Sequence, residues 1–207
     1  MMTKVTAIFS DLGGVLLSNG WDRAARRDAA AKFHLDWEEF EDRHELMLHA
    51  FETGQATLDE YLARTVFYRE RMFTKEEFLN FIYAQSRPMP ESLDVMRRLA
   101  GAGKYMVATL NNESKELNEY RIKHFHLREF FEAFMSSCYL GVRKPDEAIY
   151  RLALSITQRT PGECIFVDDR ALNLECAREL GMHTIQFQNA TQFEQELKGF
   201  GVELAKE

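Results

Sequence analysis

Residues 5–14 read VTAIFSDLGG, a β-branched and apolar run that stops at Ser10, Asp11 and the Gly13-Gly14 pair. A short apolar run bounded by turn residues predicts a buried strand ending in a loop, with Asp11 at its carboxyl end. The pattern then changes. From Trp21 to Ser86 apolar residues recur at helical spacing: Phe40, Leu46, Met47 and Phe51, then Tyr61, Leu62, Val66 and Phe67, then Phe78, Leu79 and Ile82. Thr57-Leu-Asp-Glu60 and Thr74-Lys-Glu-Glu77 match the capping box, in which a Thr hydroxyl and a Glu carboxylate satisfy orphan amides at a helix start. Four helices in a compact bundle are predicted. Arg87-Pro88-Met89-Pro90 ends them, because Pro disfavours helix at the residue before it.

Beyond the prolines, helices and strands alternate. Glu91–Ala100 reads as a helix closed by Gly101 and Gly103, Tyr105–Leu110 as a strand, Ser114–Phe125 as a helix and Phe134–Ser136 as a short strand. Pro145–Ile156 reads as a helix with Pro at its start, Cys164–Val167 as a strand, Leu172–Leu180 as a helix stopped by Gly181, and Thr184–Phe187 as a strand. Short apolar strands alternating with helices imply an α/β chain with a parallel sheet covered on both faces. Residues 1–19 and 88–207 then form the core, and 20–87 a helical cap inserted at the carboxyl end of the first strand. Ligands of open α/β sheets bind along that edge, so a helical block placed there is expected to act as a lid.

Composition narrows the function. Sixteen Phe and seven Tyr supply a sizeable core, and only 4 Pro and 11 Gly exclude collagen-like or low-complexity architecture. The net charge of −7 with no long basic run argues against a nucleic-acid partner. The closest basic cluster, Arg23, Arg26 and Arg27, is expected to be a solvated helix face. No stretch reaches the roughly 20 apolar residues that span a bilayer, so no membrane partner is expected. The opening run is interrupted by Asp11 and lacks a cleavage site, which reads as a first strand rather than a secretion signal. Cys138, Cys164 and Cys176 are widely spaced with no CxxC, which fits reduced thiols in the cytoplasm better than a disulfide framework or a zinc site.

The polar residues that carry chemistry follow the strands: Asp11-Leu12-Gly13-Gly14, Leu110-Asn111-Asn112-Glu113 and Asp168-Asp169-Arg170. A further segment, Gly141-Val142-Arg143-Lys144-Pro145-Asp146, puts a Lys just ahead of a helix start. Carboxylates from two strand ends converging near a Lys suit Mg²⁺ and a phosphate, since Mg²⁺ takes one or two carboxylates and completes its shell with water or substrate oxygens.

In this order and spacing, Asp11-Leu-Gly-Gly-Val, an apolar strand ending in Leu110-Asn111-Asn112, Arg143-Lys144-Pro145-Asp146 and Phe166-Val167-Asp168-Asp169 resemble the haloacid dehalogenase-like hydrolase superfamily over nearly the whole chain. The nearest likeness is to its small sugar-phosphate phosphatases and the phosphatase domain of epoxide hydrolases. The resemblance implies a Rossmann-like parallel-sheet core with a helical-bundle cap, and a Mg²⁺-dependent phosphatase of a small phosphorylated metabolite, possible classes including sugar phosphates. It makes Asp11 the nucleophile that forms an aspartyl-phosphate, and Lys144 the cation that neutralises nucleophile and phosphoryl group. Asp169 becomes the direct metal ligand, with Asp168 holding a metal-bound water or serving as a second ligand, and the Gly13 backbone carbonyl completes the protein's share. Asn111 stands where the family places a Ser or Thr that hydrogen-bonds a phosphate oxygen, and Asn112 beside it joins the phosphate-binding set. A monomer or homodimer is expected.

Two positions depart from the family pattern. Its phosphatases carry a second Asp, two residues after the nucleophile, that protonates the leaving group; here that position is Gly13. Loss of a general acid typically costs about 10²–10⁴ in rate, so either another acid serves or the leaving group needs little protonation. Asn111 is milder, because an amide can donate as a hydroxyl does. Two other functions use the same residues: dehalogenation of a 2-haloacid, which needs neither metal nor acid, and ligand binding without turnover. His34, His44 and His49 lack the spacing of a metal site, and Phe67, Tyr68, Phe73, Phe78, Phe81 and Tyr83 read as cap core. Trp21 and Arg23 are candidates for facing substrate, and Glu113 is expected at a solvated helix start.

Overall fold

The computed structural model describes residues 4–206; the first three residues and Glu207, which the expected core segments include, lie outside it. In chain order the elements are β1 (Ala7–Ser10), α1 (Arg23–Lys32), α2 (Trp37–Glu52), α3 (Leu58–Thr65), α4 (Lys75–Ala84), α5 (Pro90–Gly101), β2 (Met106–Asn111) and α6 (Lys115–His124). They continue through β3 (Ala133–Ser136), α7 (Ser137–Leu140), α8 (Glu147–Thr157), β4 (Cys164–Asp168), α9 (Ala171–Glu179), β5 (His183–Gln186) and α10 (Ala190–Gly199).

The five strands form one parallel sheet in the order β3-β2-β1-β4-β5. Because successive side chains of a strand point to opposite faces, two cores form back to back. Ile8, Val107, Ile165 and Ile185 pack with Met96 and Leu99 of α5 and Phe193 and Leu197 of α10. Phe9, Ala108, Leu110 and Phe166 pack with Ile149 and Tyr150 of α8 and Leu174 and Ala177 of α9. Register does the rest: Ser10 lies opposite Thr109 and Val167, which brings Asp11, Asn111 and Asp168 to one edge.

The four helices between β1 and α5 bury a separate cluster around Trp21, Phe40, Phe51, Tyr61, Leu62 and Phe78. Both expected capping boxes form: the Thr57 and Thr74 hydroxyls accept from Glu60 and Glu77 amides, and each Glu carboxylate accepts the Thr amide in return. The insertion leaves and rejoins the core at neighbouring points. Leu17 bridges Pro88, and the Ser18 hydroxyl donates to Gln85 O at 2.6 Å while accepting from Arg87 N at 2.8 Å. One buried guanidinium, that of Arg121 in α6, reaches both crossings, donating to Asn19 O at 3.1 Å and to the Ser86 hydroxyl at 3.0 Å. Beyond α2 the cap touches the core again, where the Ser137 hydroxyl donates to Glu52 O at 2.6 Å.

Several details differ from the sequence expectation. The helix expected from Pro145 starts at Glu147, because Asp146 caps it, accepting from Ala148 N at 2.8 Å, and Pro145 stays in the loop after Lys144. Helix α10 was not anticipated, although Phe193 and Leu197 stand at helical spacing behind the Asn189 cap. Leu46, counted with the apolar face of α2, is 85% exposed. Tyr68 is not packed in the cap core; the Arg43 guanidinium covers its ring, 3.5 Å from the centroid.

The second cap–core contact sets a steric condition. Gly54 has φ +72°, and a Cβ there would stand 2.3 Å from Cys138 O. Gly54→Ala should therefore destabilise by about 1–3 kcal/mol, whereas Gly199→Ala, in a helix with open space around it, should be neutral or stabilising by up to roughly 1 kcal/mol. Thermal melts of the two variants check this; equal effects would mean that the α2–α7 junction yields.

Candidate active site

The cleft lies between the sheet's carboxyl edge and the cap, a cavity of about 580 Å³ lined from both sides. At its floor is Lys144. Its side chain is 1% exposed, and its Nζ donates to Asp168 Oδ2 at 2.6 Å and meets Asp11 Oδ2 at 3.0 Å. The backbone of Lys144 is clamped by Asn112, whose Oδ1 accepts Lys144 N at 2.8 Å and whose Nδ2 donates to Lys144 O at 2.9 Å. The Phe166 ring lies 5.2 Å from the ammonium. Desolvation works against the charged form of Lys144, but Asp11 and Asp168 outweigh it and hold the ammonium above its ordinary value.

The three acids are held differently. Asp11 follows β1, its amide donating to Val167 O at 2.9 Å and its Oδ1 accepting Leu12 N at 2.8 Å. Burial raises the Asp11 carboxyl; Lys144 pulls it back and Asp168 pushes it up again. Asp168, fully buried, is surrounded by donors: Lys144, Arg170 N at 2.8 Å, and Asn173 Nδ2 at 3.0 Å from both oxygens. Asp169 is the open one, its Oδ1 buried without a hydrogen-bond partner. Burial and the Asp168 charge hold its carboxyl above the usual range. Gly14, with φ +74°, makes room for it, since a Cβ there would stand 2.4 Å from Asp169 Oδ2.

Ligand oxygens of Asp11, Asp168 and Asp169 all lie within 4.8 Å of one another. Three carboxylates against one ammonium leave an excess of negative charge, and one buried oxygen has no partner. A hard divalent cation on oxygen ligands satisfies both conditions, so the residues fit Mg²⁺. Gly13 lines the same cavity. Among the described residues no cluster of metal-ligating side chains includes His34, His44 or His49.

Asn111 and Asn112 do not offer their amides to the cleft in the way expected. Asn111 is buried; its Nδ2 donates to Asn118 Oδ1 at 3.1 Å and its Oδ1 accepts from the Ser136 hydroxyl at 2.8 Å, which ties β2 to α6 and β3. Asn112 lines the cleft, but both ends of its amide hold the Lys144 backbone. Glu113, expected in solvent, is buried and paired with Arg121 Nη1 at 3.0 Å.

The cap contributes residues both expected and unexpected. Trp21 and Arg23 line the cleft, as does Arg26, which was expected in solvent. Arg26 is buried and holds Glu41 through two bonds of 2.9 and 3.0 Å. The signal was available, for Arg26 stands on the same face of α1 as Ala29 and Ala30, both buried. Tyr61 accepts from Trp21 Nε1 at 2.9 Å and lies 2.8 Å from His44 Nδ1. Burial, with Arg26 adding to it, holds His44 down at about 3, so the imidazole is neutral. Glu52, at the end of α2, lines the cleft beside Arg143.

The chain is similar to known proteins. The chain is 29% identical over 168 residues to flavin mononucleotide hydrolase 1 of Arabidopsis thaliana, an alignment covering 80% of this chain and 66% of that protein, just under two thirds of its length. It is 30% identical over 109 residues to glyceraldehyde 3-phosphate phosphatase of Pyrococcus furiosus, covering 52% of this chain and 45% of the other. The fold matches that of enzyme BT-2542 of Bacteroides thetaiotaomicron, in complex with magnesium and inorganic phosphate, with a TM-score of 0.76 at 23% identity over 89% of this chain and 95% of that one. The family model described as haloacid dehalogenase-like hydrolase matches residues 5–181, and the chain belongs to that family of hydrolases.

Proposed function

We propose that the protein is a Mg²⁺-dependent phosphatase acting on a small phosphorylated metabolite, with Asp11 as nucleophile. The observation that carries this is the buried Lys144 held between Asp11 and Asp168 beside the unpartnered oxygen of Asp169. The two phosphatase-type relatives and the magnesium–phosphate complex of BT-2542 support it.

Asp11 is anchored by Leu12 N through Oδ1, which leaves Oδ2, on the Lys144 side, as the attacking atom. Attack on phosphorus expels the ester oxygen and leaves an aspartyl-phosphate; water then attacks phosphorus and returns Asp11 to its carboxylate. Lys144 draws a phosphoryl group down onto Asp11 and offsets the charge gathering on it. Asp168 keeps that ammonium in place, and Asn112 fixes the backbone from which it projects. Mg²⁺ held by Asp11, Asp169 and the Gly13 carbonyl, with Asp168 behind, would supply positive charge to the phosphoryl oxygens. Among the described residues no helix is long and apolar enough to cross a membrane.

The cavity, about 580 Å³ and ringed by Arg23, Arg26, Glu41 and His44, suits a hydroxyl-rich metabolite such as a sugar phosphate. A 2-haloacid fits poorly, because its carboxylate would enter beside three acids that one ammonium does not balance.

Release of p-nitrophenol from p-nitrophenyl phosphate should require Mg²⁺, stop with EDTA and fall to the enzyme-free level in Asp11→Asn. Metal-independent turnover, or turnover surviving Asp11→Asn, would overturn the reading.

Metal binding has its own readout. Mg²⁺ at a hundred times its Kd should stabilise the folded protein by about 2.7 kcal/mol, and Asp169→Asn should abolish that gain. Without metal the same substitution should make the protein more stable at neutral pH. A carboxyl whose folded pKa is raised adds stability only at low pH, and that contribution is lost as pH climbs through the folded value. Thermal melts with and without Mg²⁺ between pH 4 and 8 check both signs.

A further inference from the structure

Position 13 offers no proton. A Cβ there would stand 3.1 Å from Asn19 Oδ1 and 3.4 Å from Asn19 Cα, so Asn19, just ahead of the cap, crowds that position. If the phosphatase reading holds, on which this inference rests, a leaving alkoxide must find its proton elsewhere in the cleft.

Most acids lining the cavity are committed. Asp22 caps α1, accepting from Ala25 N at 2.8 Å. Glu41 is bound by Arg26 through both oxygens and approached by Arg23. Glu113 accepts from Ser114 N at 3.0 Å and pairs with Arg121. Glu45 is exposed. His44 is neutral and is hydrogen-bonded to the Tyr61 hydroxyl. Glu52 is different. Its Oε2 is ion-paired with Arg143 Nε at 2.9 Å but out of line for a hydrogen bond, so both buried atoms lack a hydrogen-bond partner. It lines the same cavity as Asp11, Gly13 and Lys144. Although it belongs to the cap, its backbone is fixed to the core: the Ser137 hydroxyl donates to Glu52 O, and Gly54 is pressed against Cys138 O.

We propose that Glu52 is the general acid and base of the reaction, the role that Gly13 cannot fill. In the first step the Asp11 Oδ2–P bond forms and the P–O bond to the alcohol breaks; the departing oxygen keeps the electron pair and takes the Glu52 proton. In the second, a water oxygen bonds to phosphorus, its proton passes to the Glu52 carboxylate, and the P–Oδ2 bond breaks with its electrons returning to Asp11. The cycle closes with alcohol, phosphate and a protonated Glu52.

The electrostatics suit a group that must both give and take a proton near neutrality. Burial pushes the Glu52 carboxyl up to about 7. Arg143, Arg170 and Lys144 pull the other way, and Glu113 adds to the rise. A proton-donating carboxyl at that value predicts that cleavage of an ester with a poor leaving group falls as pH rises above about 7.

The test compares the wild-type protein with Glu52→Gln and Glu52→Asp, on p-nitrophenyl phosphate and on glycerol 2-phosphate, an alkyl ester whose alcohol is a poor leaving group. The p-nitrophenolate anion departs unprotonated, so Glu52→Gln should keep a rapid burst of about one p-nitrophenol per site, followed by turnover slowed by about 10²–10⁴. On the alkyl ester no burst of alcohol should precede that slow rate, and the fall in activity above neutral pH should vanish. Glu52→Asp should recover part of both. Glu52→Gln that hydrolyses the alkyl ester at the wild-type rate overturns the proposal, as does loss of the aryl burst in a variant whose melt is unchanged. If the wild-type protein itself shows no Mg²⁺-dependent turnover, the phosphatase reading falls and this proposal with it.

Discussion

A lysine ammonium held in a buried pocket by two carboxylates is the constraint on which the rest of the site is arranged. Burying Lys144 is unfavourable unless it is paired, and pairing it brings Asp11 from one strand and Asp168 from its neighbour to 3.0 and 2.6 Å. Those strands must then run parallel and in register, which they do across Ser10 and Val167. Asn112, from the strand on the other side of β1, holds the backbone of the lysine. Three strand ends and one loop are thereby tied to a single charge. The same arrangement leaves Asp169 with an oxygen that no protein group satisfies. That oxygen costs stability, as unsatisfied and perturbed groups at candidate functional sites commonly do.

Much of this was legible along the chain. The apolar runs ending in Asp11 and Asp168, and the two capping boxes, are local signals: burial on both faces of a strand and satisfaction of helix-end amides need only the few residues concerned. The spacing of Phe166-Val167-Asp168-Asp169 behind Arg143-Lys144 carried the family resemblance because these polar groups sit directly at strand ends, where sequence order maps onto position. What stayed hidden depended on contacts between distant segments. Asn111 looks like a phosphate ligand until Asn118 and Ser136, one on α6 and the other on β3, are seen to occupy its amide. Glu113 looks solvated until Arg121, on the following helix, closes over it. Glu52 looks like the last polar residue of a surface helix, and only the docking of α2 on Ser137 turns it towards the cleft.

The division of labour between the two layers follows from how they are held. Core residues in the cleft are positioned by strands and by buried hydrogen bonds, which leave little freedom to the reacting atoms. The cap side is built from charged and polar pairs, such as Arg26 with Glu41 and Tyr61 with His44, laid over an aromatic cluster. Each pair is satisfied within the cap, so its members can be exchanged with limited effect on the sheet beneath.

The antiparallel contact of Leu17 with Pro88, reinforced by Ser18, bears on how the protein could vary. The inserted segment begins and ends at adjacent points, so from the standpoint of the sheet it is a closed excursion whose length scarcely matters: the entropy of joining two ends grows only slowly with the chain between them. A helical module of another size could be spliced between those two positions without altering a strand, provided its first and last residues present the carbonyl and hydroxyl that Arg121 binds. The core is in this sense a socket, and Arg121 is the feature of the socket that any replacement must fit.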